Sequence, residues 1–249
     1  DVARNLAGID GTSKMSAHLK WGEIHPRTLL APLGESKAHD VYRKEIAWRE
    51  FYADILFNNP HTETQYYAPQ FSKMRYDKLG DKFKAWCEGK TGYPFVDAAM
   101  RQLLQEGWMH NRTRMVVASF LTKHLLMHWR VGEQWFWDCL LDADLASNAC
   151  SWQWVGGSGA DASPYFRIFN PIAQGEKFDK AGMYTRRWVP ELAELPDKYL
   201  YKPWEAPELT LKAAGVELGT TYPTPIVDHR TARESALEAY ATLKNIDAA

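Results

Sequence analysis

Eight residues, Trp108 to Met115 (Trp-Met-His-Asn-Arg-Thr-Arg-Met), carry the densest chemistry in this sequence. Read as helix, they set Trp108, Asn111, Arg112 and Met115 on one stripe, because positions three and four apart share a face. An aromatic plane, an amide and a guanidinium then point at one place. That suits a flat ligand with a polar rim, since the ring stacks on its face while the other two satisfy donors and acceptors around its edge. A surface helix with one buried Trp gives the same spacing. Tyr42, Glu45, Trp48, Arg49 and Tyr52 also recur every three or four residues, putting rings, a carboxylate and an arginine on one helical face. The plain alternative is a Glu45–Arg49 surface pair of little energetic weight.

Asp144, Asn148 and Trp152 recur every four residues and predict a second polar stripe, with Asp142-Ala143-Asp144 offering carboxylates to a ring N–H or to ribose hydroxyls. A calcium loop fails here, because Ala146 and Ser147 stand where a ligand and a turn Gly are required. Helix capping by Asp144 is the other reading. Gly157-Ser-Gly159-Ala-Asp-Ala162 imitates a dinucleotide fingerprint but follows Trp-Gln-Trp-Val instead of a buried strand, so it reads as a loop. Gly11-Thr-Ser-Lys-Met-Ser16 leads into a helix, and its hydroxyls and backbone N–H groups suit a phosphate; capping by Thr12 or Ser13 explains it equally well.

Helices must position these groups. His39 to Phe57 carries Val41, Ile46, Phe51, Ile55 and Leu56 among charges, and Lys14 to Lys20 follows capping residues. Residues 59 to 80 read as a long connection. Pro94 opens a helix running from about Phe95 to Glu106, with Gly107 ending or interrupting it. One buried helix is expected from Asn111 to about Trp129, another over Glu133 to Leu141, and shorter ones over Thr185 to Glu194 and Ala232 to Lys244. No strand alternation is found, which predicts an all-α fold over 1–249, in one domain or two closely joined lobes.

Composition limits the function. A formal charge of −1 excludes a generally basic nucleic-acid binder, so contact with DNA requires a local patch. Cys87, Cys139 and Cys150 show neither CxxC pairing nor zinc spacing, which predicts no metal and a reducing, cytoplasmic setting. No apolar run approaches the roughly 20 residues that cross a bilayer. Eleven Trp in 249 residues, many beside Arg, Asn or Gln, fit stacking on planar ligands or relaying electrons, as well as large buried interfaces.

Together these segments closely resemble the FAD-binding helical domain of the photolyase and cryptochrome family along nearly the whole chain. The pieces that carry the resemblance are Asp-Gly-Thr-Ser-Lys-Met-Ser (10–16), Glu-Ile-Ala-Trp-Arg-Glu-Phe-Tyr (45–52), Gly-Lys-Thr-Gly-Tyr-Pro with Val-Asp-Ala-Ala-Met-Arg-Gln-Leu (89–104), the 108–115 stretch, Asp-Ala-Asp-Leu-Ala-Ser-Asn-Ala-Cys-Ser-Trp-Gln-Trp (142–154) and Gly-Ala-Asp-Ala-Ser-Pro-Tyr-Phe-Arg-Ile-Phe-Asn-Pro (159–171). The resemblance implies light-driven splitting of cyclobutane pyrimidine dimers in DNA by electron transfer from excited, reduced FAD. It is nearest to a class I enzyme, since His110-Asn111 and Met115 differ from the patterns of other branches.

It implies that Thr12, Ser13, Lys14, Met15 and Ser16 grip the FAD phosphates. Tyr42, Glu45, Arg49, Trp108, Asn111, Arg114, Asp142, Ala143 and Asp144 would line the cofactor, and Asn148 would sit beside its reactive N5. Glu45, Trp48, Asn111, Arg112, Met115 and Trp154 match positions that receive the flipped dimer; Arg4 and Arg167 match DNA-contacting arginines. Trp152, Trp129 and Tyr76 would relay electrons, with Tyr76 where the family carries a Trp. The family's preceding α/β antenna domain is missing, so no antenna pigment is expected, and a monomer is. A cryptochrome-like photoreceptor is the alternative, and a helical DNA-binding scaffold without cofactor, which would be colourless, is a third.

Overall fold

The computed structural model describes residues 3–161 and 166–246. Helices follow in the order α1 (Ser16–Lys20), α2 (Pro26–Leu30), α3 (Lys37–Asn58), α4 (Asp81–Cys87), α5 (Pro94–Glu106), α6 (Asn111–Ser119), α7 (Trp129–Cys139), α8 (Leu145–Gly156), α9 (Pro171–Phe178), α10 (Met183–Trp188), α11 (Asp197–Leu200), α12 (Glu208–Ala213) and α13 (His229–Ile246). Among the described residues there is no strand, only a single bridge between Leu218 and Tyr222. No described helix is long and apolar enough to cross a membrane. The expected all-α architecture is what is observed.

Local chemistry accounts for the best-defined ends. Ser36 caps α3 by accepting from His39 N–H, Pro94 starts α5 where its missing N–H is harmless, and Gly107 closes α5 at φ +62°. The Gly89–Pro94 turn is anchored from inside. Asp97, fully buried, accepts from the Thr91 N–H, the Thr91 hydroxyl, the Gly92 N–H and the Tyr222 hydroxyl.

The helix expected from Asn111 to about Trp129 ends short of that, and the one expected from Glu133 begins earlier, at Trp129. α6 stops at Ser119, a π turn spans Phe120–His124, Leu126 takes φ +47°, and α7 begins at Trp129 with His128 as its N-cap. Neither Gly nor Pro marks this break. It is fixed by burial, since Leu121, Thr122, Lys123 and His124 all turn inward. The 59–80 connection contains two 3₁₀ turns, Pro60–Glu63 and Pro69–Lys73.

At the centre lies α8, packed against α3, α6 and α7. Its approach to α7 depends on Gly132: a Cβ there would stand 2.3 Å from Trp152 Cη2 and 2.4 Å from Leu121 Cδ2. Neither neighbour can yield, because Trp152 is boxed in by Phe136 at 5.0 Å and Trp86 at 6.2 Å. Gly132→Ala should therefore lower stability by about 1–3 kcal/mol through overpacking, read as a fall in thermal midpoint. An unchanged midpoint would show that α7 and α8 are not in such close contact.

Candidate functional site

The segment before α1 and the helices α3, α6, α7 and α8 bring most of the expected residues together. Tyr42 on α3 donates to Ser13 Oγ at 3.2 Å, which ties the Gly11–Ser16 loop to that helix. Lys14, in the left-handed region at φ +53°, places its ammonium 5.3 Å from the Trp108 ring centroid. The helix expected from Lys14 begins only at Ser16 and has five residues, so a phosphate here would be held by loop hydroxyls and N–H groups.

Trp108 does not share a helical stripe with Asn111 and Met115. Gly107 ends α5, His110 caps α6, and Trp108 lies in the link between them. On α6 the two arginines part company. Arg112 donates to Asn5 Oδ1 at 2.6 Å and stacks 4.3 Å over Phe178, whereas Arg114 bonds Asp142 Oδ2 at 2.8 Å and the Met109 carbonyl at 2.8 Å. Met115 lies 4.0 Å from Arg112 through its sulfur, and Asn111 is exposed.

Asp142 is buried, which pushes its pKa up, but the Arg114 charge and hydrogen bonds from Arg114 and Ser16 outweigh burial and leave it below the ordinary 3.8. Its second oxygen, Oδ1, is buried without a hydrogen-bond partner. Ala143 beside it is buried as well. Asp144, expected on the α8 stripe, is instead its N-cap: Oδ1 accepts from Ser147 N–H at 2.8 Å, so this carboxylate is committed to the helix end.

Asn148 is one turn further on and buried. Its amide nitrogen donates to the Glu133 carbonyl and to Glu133 Oε1, both at 3.0 Å. Glu133 in turn takes Arg130 at 2.7 Å through Oε2. Burial raises the Glu133 pKa, and Arg130 and Asn148 counter it in part. With both Nδ2 contacts spent on Glu133, the part of the Asn148 amide they leave over is its carbonyl oxygen, an acceptor.

The ion pairs made by α3 in this region are exposed. Glu45 accepts from Arg4 at 2.6 Å, and Arg49 pairs with Glu50 at 2.7 Å, so the Glu45–Arg49 surface pair is not formed. Trp48 meets Phe51 edge-on and Tyr52 at a tilt, with centroids 5.3 and 5.6 Å away. Trp154 donates to the Asp161 carbonyl at 3.0 Å, and Arg167 is exposed. Gly157, at φ +95°, ends α8, in keeping with a loop; Ala162 to Tyr165 of the 159–171 piece lie outside the described residues.

Trp152 and Trp129 are both buried, and Gly132 packs against the first one turn after the second. Between Trp129 and Tyr76 lies one further ring, Tyr66. Trp129 meets Tyr66 at 6.1 Å, and Tyr66 stacks on Tyr76 at 6.4 Å and donates to its hydroxyl at 2.5 Å. Burial pushes Tyr76 up to about 12 and Tyr66 higher still.

Residues 42–242 match the family described as the FAD binding domain of DNA photolyase. The chain belongs to this photolyase FAD-binding family. It is 57% identical to a deoxyribodipyrimidine photo-lyase of Agrobacterium fabrum over 98% of this chain and 52% of that protein. It is 44% identical to cryptochrome-2 of Arabidopsis thaliana over 96% of this chain and 42% of that one. A class III photolyase from Agrobacterium tumefaciens superposes with a TM-score of 0.95 at 55% identity, covering 98% of this chain and 52% of that structure. The expected nearness to class I gives way to this class III likeness. The chain spans about half the length of the curated relatives it matches, and the cofactor of its family is FAD.

Sequence reading missed Asn5, Tyr66 and Glu133, which act by fixing other side chains. Glu133 has one visible signal: a carboxylate two residues before the aromatic run Trp135-Phe136-Trp137 and beside Gly132. Because the Asp142 pKa is lowered in the fold, the stability its pair contributes is complete above about pH 4 and is lost as pH falls through the folded value. Asp142→Asn should remove that step from an acid-unfolding titration. An identical acid limb in both proteins would contradict the pairing.

Proposed function

We propose that this chain is the cofactor-bearing half of a light-dependent DNA repair enzyme that splits cyclobutane pyrimidine dimers. The observation that carries the reading is the divergence of Arg112 and Arg114 on α6, which lets one helical turn serve two separate sets of partners at once, Asn5 and Phe178 on one side and Asp142 on the other. The residues fit FAD: Asp142 Oδ1 is a buried acceptor with no protein donor, and Asn148 presents a fixed carbonyl. Bound and reduced, FAD would supply the photo-excited electron that opens the cyclobutane ring.

The side chains then divide the work. Thr12 to Ser16 with Tyr42 would hold the phosphates; Arg49, Trp108, Arg114, Asp142 and Ala143 would line the cofactor, and Asn148 would accept from its N5 position. Asp144 contributes through the helix end it caps. Glu45 would accept a hydrogen bond from the extruded base and steady charge building on it, with Trp48, Asn111, Arg112, Met115 and Trp154 around the lesion. Arg4 and Arg167 would meet phosphates. Trp152, Trp129, Tyr66 and Tyr76 would refill the cofactor with electrons. A blue-light photoreceptor is the second reading, favoured by the cryptochrome likeness; the lesion-side set of Glu45, Asn111 and Arg112 supports repair.

Blue light on the reduced, FAD-loaded protein should lower the dimer content of a damaged oligonucleotide. Glu45→Gln, which exchanges a charged acceptor for a neutral one, should cut the yield per photon by roughly tenfold. Dimers that persist under saturating light would contradict repair and leave the photoreceptor reading. Binding of DNA should also weaken steeply with salt.

A further inference from the structure

Lys123 is only 1% exposed, in the π turn that ends α6. An ammonium in such a place is costly unless its N–H groups find acceptors. It donates to the Val155 carbonyl at 2.7 Å and to the Arg167 carbonyl, and stands 4.6 Å from the Phe166 ring centroid. Val155 lies in the last turn of α8, where carbonyls lack helical partners and a cation is favoured. The i→i+5 bond from Leu125 N–H to the Phe120 carbonyl, 3.0 Å, widens this turn and shifts the side-chain register away from that of α6.

The same short segment has two further anchors. Phe169 N–H donates to Ser119 Oγ at 3.2 Å, and Phe166 stacks on Tyr240 at 4.4 Å with planes 5° apart. Lys123 is the one of the three that grips Arg167 itself, and it does so through the backbone, leaving the guanidinium exposed.

We propose that Lys123 is a positioning residue for DNA capture, fixing the Arg167 backbone against the end of α8 so that Arg167 keeps a set distance from Trp154. This rests on the DNA-repair reading above. Burial, then the charge of Arg167, pushes the Lys123 pKa down to about 7, consistent with two like charges held close by packing.

The test is equilibrium binding of the FAD-loaded chain to a dimer-containing duplex and to the same duplex undamaged, across a salt series. Lys123→Met should weaken binding about tenfold and reduce the salt slope by roughly one, as Arg167→Ala does, because one phosphate contact is lost. The double variant should lose no more than Arg167→Ala alone, and flavin absorption should not change. Lys123→Gln, which keeps a donor for one carbonyl, should fall between. Multiplying losses in the double variant, or an unaltered salt slope in folded Lys123→Met, would overturn the proposal. So would failure of both Lys123 variants to fold, which would assign the residue to the fold alone. A wild type that binds both duplexes equally would instead sink the repair reading, while the slope comparison still judges Lys123.

Discussion

The Asn148–Glu133 contact is the constraint from which the rest of the site follows. A buried carboxylate is costly unless its oxygens are occupied, and Glu133 solves this with Arg130 on one oxygen and Asn148 on the other. The solution fixes which way the Asn148 amide points. It also demands that α7 and α8 lie close, which Gly132 allows by carrying no side chain against Trp152. Packing and polar satisfaction thus meet at one helix crossing, and together they fix the Asn148 amide.

Energetics separate the two faces of the site. Arg114–Asp142 is largely buried, with side-chain exposures of 25% and 3%, so it is preorganised and costly to break. Arg4–Glu45 is exposed at 38% and 44%, where an ion pair contributes little and exchanges freely. A resident cofactor calls for the first kind of pair. An exposed pair of the second kind can open and re-form without such a cost.

Much of this is legible in the sequence. α3 is legible from Val41, Ile46, Phe51, Ile55 and Leu56 spaced among charges, and α5 from Pro94 and Gly107 at its ends. The break after Ser119 is not, because an apolar run without Gly or Pro reads as one helix, and only the burial of Lys123 and His124 bends it. Trp108 was misplaced for a related reason: a Gly inside a helical pattern ends it or is tolerated, and here it ends it. Asp144 shows the limit of spacing, which cannot tell a stripe member from the cap one residue earlier. Asn5, Tyr66, Glu133 and Lys123 left little trace, since each works through a partner distant in sequence.

The central claim is that the polar groups gathered from the Gly11–Ser16 loop, α3, α6 and α8 enclose one FAD. It is tested most directly by titrating the purified chain with FAD and measuring bound flavin per chain, beside Arg114→Ala. The account predicts saturation at one flavin per chain, with binding weakened by about tenfold or more when Arg114 is removed and Asp142 is left buried without its partner. Flavin that fails to saturate at one per chain, or binds equally well to both proteins, would contradict it.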